Sequence, residues 1–283
     1  MDSDARVLWE VPQPHRVLAV TRLVGTMIEL DNVTVEFPVY SASSRSLKNR
    51  MLRMAVGGRI SDRDGHVMIT GLRNVTLSIA QGERVGLVGH NGAGKTTLLR
   101  VLSGIYEPPL GSVRIQGRPT SLINISLGID PEATGRENIR LRAAIMGMSR
   151  EMLAEKFDEI AEFSGLGEFL DMPFRTYSTG MQLRLAFAIS TAVTPEILIM
   201  DEWLSTGDEA FKEKADRRLK ELVEFTKVLV IASHSRALIE KNCTRAIWLE
   251  NGEVKMDGPA EAVADAYFAV HDEVERPALR VIG

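Results

Sequence analysis

The sequence predicts an α/β fold: a largely parallel sheet with a helical subdomain inserted in it. Three observations carry that reading. Continuous apolar runs that suit strands buried on both faces recur in "QGERVGLVG", "EILIMD" and "KVLVIAS". Helical patterns lie between them, and strands alternating with helices imply parallel pairing through right-handed crossovers. Residues from about Arg136 to Val193 read as mostly helical and form the inserted part.

Taken in order, residues 1–26 carry Pro12 and Pro14, show weak periodicity and are expected to form a loosely ordered arm. Met27 opens "MIELDNVTVEF", which alternates like a strand. A cationic insertion over residues 43–58, "SSRSLKNRMLRMAVGG", follows. It holds Arg45, Lys48, Arg50 and Arg53 and no acid. Wound at about 3.6 residues per turn, it gathers Leu47, Met51, Met54 and Ala55 opposite most of the cations. "HVMITGLRNVTLSIA" reads as a second strand region.

A helix is expected from about Gly94 to Ser103, then short strands through Ile125. Thr134 with Glu137 forms a capping box at the start of the helical subdomain, set at about residues 126–193. "RAIWLENGEVKMDG" is a hairpin whose Asn251-Gly252 turn suits type I′. A terminal helix starts near Pro259, the folded domain covers 27–271, and 272–283 is a tail. The sequence shows no internal repeat, low-complexity tract or sustained heptads.

The 283 residues suffice for a substantial core, and 45% hydrophobic with 25% charged residues is the balance of a soluble globule. A net charge of −4 argues against a nucleic-acid coat, so attraction to anions must be local. Cys243 is the only cysteine, so no disulfide forms within the chain, which fits a reducing compartment. It reads as a small residue at a helix end. No apolar run approaches the roughly 20 residues needed to cross a bilayer. The N-terminus lacks a signal-peptide pattern. Peripheral attachment to a membrane stays open.

"GHNGAGKTT", Gly89 to Thr97, fits the phosphate-binding loop G-x-x-x-x-G-K-[ST], with a strand pattern before it and a helical one after. Gly89, Gly92 and Gly94 let the backbone turn its N–H groups toward phosphate oxygens; His90 and Asn91 complete the cradle. The helix start adds its positive dipole end. Lys95 reaches the β- and γ-phosphates, Thr96 is placed to ligate Mg²⁺, and Thr97 reaches the inner phosphate. "EILIMDE" supplies the complement: Asp201 holds magnesium through water, and Glu202 orients or deprotonates the attacking water.

"YSTGMQLRLAFA" begins at Tyr177, and here the chain resembles the ATP-binding-cassette family. Tyr177 to Met181 stand at that family's Leu-Ser-Gly-Gly-Gln signature, with "EILIMDE", "STGD" (Ser205–Asp208) and "ASHS" (with His234) following in the family's order. Thr179 and Met181 depart from the signature. The resemblance implies a P-loop NTPase, RecA-like core with an antiparallel β subdomain and an inserted α-helical one. It implies ATP hydrolysis with Mg²⁺ and two copies packed head to tail around two ATPs. Each site would then combine Lys95, Thr96, Asp201, Glu202 and His234 of one copy with Ser178 and Gly180 of the other. His234 would contact the γ-phosphate, and Asp208 would link the two sites or cap its helix. Glu213–Arg217 and Asp216–Lys220 pairs mark an exposed face of that helix. The family's adenine-stacking ring falls at Phe37, with Tyr40 as competitor and a plain core role for Phe37 as the alternative. The family's glutamine loop falls at "NISLGID", which has no glutamine; Asn124 and Ser126 are the candidate substitutes.

"YSTGMQLRLAFA", "PEATGRENI", "DEWLSTGDEAFKEKA" and "SRSLKN" are similar to the ATPase subunits of bacterial O-antigen, teichoic-acid and capsule exporters, with actinobacterial galactan exporters the nearest type. That resemblance implies a peripheral subunit at the cytoplasmic face of the membrane under two transmembrane permease subunits. The cargo would be a glycan on a polyprenyl diphosphate carrier, with no nucleic-acid partner. The cationic helix would lie along anionic headgroups or attract the carrier's diphosphate; the alternative is a solvated helix packed on the core. The rival class is a soluble cassette ATPase acting on nucleic acid or ribosomes. Such proteins usually carry paired cassettes or long coiled-coil arms, neither of which this sequence shows. A small-molecule kinase would have no need of "YSTGM" or "STGD".

Overall fold

The computed structural model describes residues 25–39, 60–63, 66–123, 128–202 and 209–272. The expected arm up to residue 24, Tyr40, the cationic insertion 43–58, Asn124, Ser126, Asp208 and the tail beyond 272 lie outside the described residues.

An antiparallel sheet comes first in the chain. It holds β1 (Thr26–Val39), β2 (Ile60–Arg63), β3 (His66–Ala80) and β5 (Leu110–Ile115) in the order β2-β3-β1-β5. The six-stranded sheet combines β4 (Arg84–Val88), β6 (Pro119–Ser121), β7 (Ile197–Asp201), β8 (Val228–Ala232), β9 (Arg245–Glu250) and β10 (Glu253–Pro259). Its order is β10-β9-β4-β8-β7-β6. Every pairing in it is parallel except β9 with β10.

The continuous apolar runs have the predicted cause. β8 is buried along its whole length, and successive side chains of β7 and β8 feed opposite cores. Leu198, Met200, Leu229 and Ile231 join one core, with Phe187 and Leu219. Ile197, Ile199, Val228 and Val230 join the other, with Leu98 and Leu99 of α1 (Lys95–Leu102) and with Ile28 and Leu72 of the antiparallel sheet. Each fully buried Leu or Ile is worth about 1.5–3 kcal/mol relative to exposure.

The helical part holds α2 (Gly135–Ile145), α3 (Arg150–Ser164), 3₁₀ turns at Gly167–Asp171 and Phe174–Thr176, and α4 (Thr179–Ser190). The capping box is present: Glu137 N–H donates to Thr134 Oγ1 at 3.3 Å, and Thr134 N–H to Glu137 Oε2 at 2.8 Å. Those bonds hold the Glu137 carboxyl below its usual pKa. α5 (Glu209–Phe225), α6 (Arg236–Asn242) and α7 (Ala260–Asp272) are the remaining helices among the described residues. On α5, Glu213, Arg217 and Lys220 are exposed and Asp216 is half-buried. Among the described residues no helix is long and apolar enough to cross a membrane.

Asn251 (φ 52°) and Gly252 (φ 83°) form the β9–β10 turn with both residues left-handed, as type I′ requires. This turn is also a buttress. Gly252 N–H donates to Ala93 O at 2.9 Å, and Arg73 N–H donates to Gly252 O at 2.8 Å. The hairpin tip thereby fixes β3 and the Gly-rich loop to each other.

Candidate functional site

β4 ends at Val88 and the chain enters the Gly-rich loop at Gly89. A side chain at Gly89 would overlap Leu249 O of β9, and one at Gly94 would come within 2.6 Å of Gly71 O of β3. Gly94 also has φ 110°, in the region open mainly to glycine. The loop therefore has its shape because β3 and β9 pass too close for any Cβ. Asn91 and Gly92 at its tip are exposed. Gly94 caps α1 without a side-chain bond, so the first N–H groups of α1 are open to an anion.

Lys95 is 8% exposed and lies inside this loop. Its ammonium donates to Gly89 O, and to His90 O at 3.3 Å, and lies 3.4 Å from His234 Nε2. Burial lowers its pKa, opposed by the charges of Asp201 and Glu202. Thr96 Oγ1 donates to Asp201 Oδ2 at 2.9 Å. A hydroxyl beside a carboxylate is a hard-oxygen donor pair, which suits Mg²⁺.

Glu202 follows β7 with φ 67°, uncommon for a non-glycine residue. Its N–H donates to Ala232 O at 2.9 Å, and Oε1 accepts from His234 N–H at 2.9 Å. Oε2 accepts from Ser233 Oγ at 3.0 Å. Lys95, Thr96, Asp201, Glu202 and His234 therefore meet in one place, from two strand ends and one helix start. Sequence reading missed Ser233, whose only sign was its place beside His234.

Thr97 and Phe37 both lie against Gly71: a Cβ there would be 3.1 Å from Thr97 Cγ2 and 2.8 Å from Phe37 Cε2. Phe37 is half-buried against the core and meets Tyr106 edge-on, with ring centroids 5.5 Å apart. Tyr106 also went unnoticed in the sequence. Arg100 holds it by donating to its hydroxyl at 3.1 Å.

Ser178 caps α4 by accepting from Met181 N–H at 3.3 Å. Ser178, Thr179 and Gly180 are exposed. A Cβ at Gly180 would meet nothing nearer than Ser178 Oγ at 3.9 Å, so packing within the chain does not demand a glycine there. This turn is held by the helical subdomain. Tyr177 is buried, packs on Phe174 with centroids 5.2 Å apart, and donates its hydroxyl to Phe169 O at 2.5 Å. Gln182 Nε2 donates to Tyr177 O at 3.2 Å. Cys243 is buried at the C-cap of α6, as expected for a structural residue, and burial pushes its thiol up to about 12.

The family model described as ABC transporter matches residues 72–205. The chain is 44% identical over 228 residues to the O-antigen export system ATP-binding protein RfbE of Yersinia enterocolitica, covering 80% of this chain and 95% of that one. It is 37% identical over 240 residues to the teichoic acids export ATP-binding protein TagH of Bacillus anthracis, covering 85% of this chain and 42% of that longer protein. Among solved structures, a dimeric ATP-binding cassette in a post-hydrolysis state bound to ADP and Pi aligns with a TM-score of 0.60 at 24% identity. That alignment covers 83% of this chain and 99% of the other, and it shows the fold.

Proposed function

The chain belongs to the ABC transporter family, and from that premise we propose that it is the ATP-hydrolysing subunit of a polysaccharide exporter. The cargo is a glycan on a polyprenyl diphosphate carrier. The subunit works as a homodimer at the cytoplasmic face of the membrane, beneath two permease subunits.

The observation that carries the catalytic reading is the meeting of Lys95, Thr96, Asp201, Glu202 and His234 around one open helix start. The chain's residues fit ATP with Mg²⁺. The Gly-rich loop and the N–H groups of α1 cradle phosphate oxygens, and Thr96 with Asp201 offers oxygen to the metal. Mg²⁺ held by Thr96 and Asp201 would supply positive charge to the phosphates. Lys95 adds its charge at those phosphates, and Glu202 orients or deprotonates the attacking water. His234, beside Lys95, contacts the γ-phosphate. The exposed Ser178–Gly180 turn completes the site of the second copy by offering its own helix start. With ATP bound the two copies hold together; loss of the γ-phosphate contacts lets them part, and the permease follows.

The relatives that export O-antigen and teichoic acids support the choice of cargo. Cells whose sole copy carries Lys95→Ala should accumulate lipid-linked glycan on the inner leaflet. Normal export in those cells would contradict the proposal.

A further inference from the structure

The structure assigns Ser233 as a positioning residue for Glu202, holding the carboxylate that acts on the attacking water. This inference rests on the role of Glu202 given above and adds to it the group that aims it.

Ser233 is 1% exposed, at the point where β8 passes into the loop before α6. Its backbone N–H donates to Leu87 O of β4 at 3.2 Å, so the strand that leads into the Gly-rich loop fixes its position. Its hydroxyl has a direction forced on it. Ser235 N–H donates to Ser233 Oγ at 3.0 Å, occupying an oxygen lone pair. The remaining contact, to Glu202 Oε2 at 3.0 Å, is with an acceptor when the carboxylate is ionised, so the hydroxyl proton points at Glu202. His234 N–H holds the other carboxylate oxygen. Two donors on adjacent residues therefore fix the plane of the Glu202 carboxylate. One is a backbone amide that substitution leaves in place; the other is the Ser233 hydroxyl.

The test uses the full chain, with ATP, Mg²⁺ and single-turnover conditions where turnover is slow. Ser233→Ala should lower kcat about tenfold with KM changed less than about twofold, because aim is lost and nucleotide contacts are kept. On a Glu202→Gln background the same substitution should cost less than about twofold, since the group it aims is gone. A full loss on that background would overturn the assignment, and so would an unchanged kcat in Ser233→Ala. If Ser233→Ala does not fold, the isosteric pair Ser233→Thr and Ser233→Val decides. Thr should turn over at least about fivefold faster than Val at equal Tm; equal rates would overturn the assignment. Near-normal turnover in Glu202→Gln itself would remove the role of Glu202, whatever Ser233 does.

Discussion

The Tyr177 hydroxyl occupies the space that a Cβ on Gly135 would need. Gly135 opens α2 in "ATGRENI", and Tyr177 precedes the exposed signature turn. Two motifs more than forty residues apart in the sequence are thus one packing unit, with the same hydroxyl bonded to Phe169 O. Gly135→Ala should destabilise by about 1–3 kcal/mol through overpacking. Tyr177→Phe should cost about 1 kcal/mol through loss of the hydrogen bond. The double variant should lose less than the sum, because removing the hydroxyl makes room for the methyl. Urea denaturation of the four proteins checks this.

Gly180 leads to the opposite expectation for stability and activity. No neighbour in the chain approaches its Cβ position, and it lies in the first turn of α4. Gly180→Ala should leave stability unchanged or raise it by up to about 1 kcal/mol. On the proposed role of this turn at the phosphates of a second copy, ATP turnover should nevertheless fall by about tenfold or more. Thermal melts and steady-state hydrolysis on one preparation separate the effects.

Thr96 and Asp201 form the oxygen pair assigned to the metal, 2.9 Å apart. Thr96→Val keeps the shape and removes the hydroxyl. ATP affinity measured in chelator should change by less than about twofold, while the gain on adding Mg²⁺ should shrink by about tenfold or more. Titration calorimetry with and without Mg²⁺ reads the difference.

Burial pushes Cys243 from 9.0 up to about 12, so the folded pKa lies above the unfolded one. The neutral thiol's share of stability is then complete below about pH 9 and is lost as pH rises from about 9 toward 12. Cys243→Ala removes that titration. Between pH 8 and pH 10.5 its urea midpoint should fall less than that of the unaltered protein.

Local patterning made much of the fold legible. "HVMITGLRNVTLSIA" coincides with β3, the Thr134–Glu137 box caps α2, and Asn251-Gly252 makes the type I′ turn. In each case the cause lies within a few residues. What pairs with what was not legible. β1 lies between β3 and β5, and β4 lies between β8 and β9, through contacts that no short window encodes. The loop glycines were legible as a phosphate motif, whereas the near approach of Leu249 O and Gly71 O that demands two of them was not. Ser233 stayed hidden for the same reason: its partner Glu202 lies 31 positions away, and serine before histidine is unremarkable as a string.

In the proposed mechanism two copies close over shared nucleotide, each supplying Ser178 and Gly180 to the other. Its most direct test is the solution mass of the full-length Glu202→Gln chain with ATP and Mg²⁺, by light scattering. Glu202→Gln should cut hydrolysis by about 10²–10⁴-fold while keeping ATP bound, so the closed state persists. The predicted result is twice the mass of one chain, falling to one when nucleotide is removed. A single-chain mass with saturating ATP, together with failure to pair when the permease is present, would contradict it.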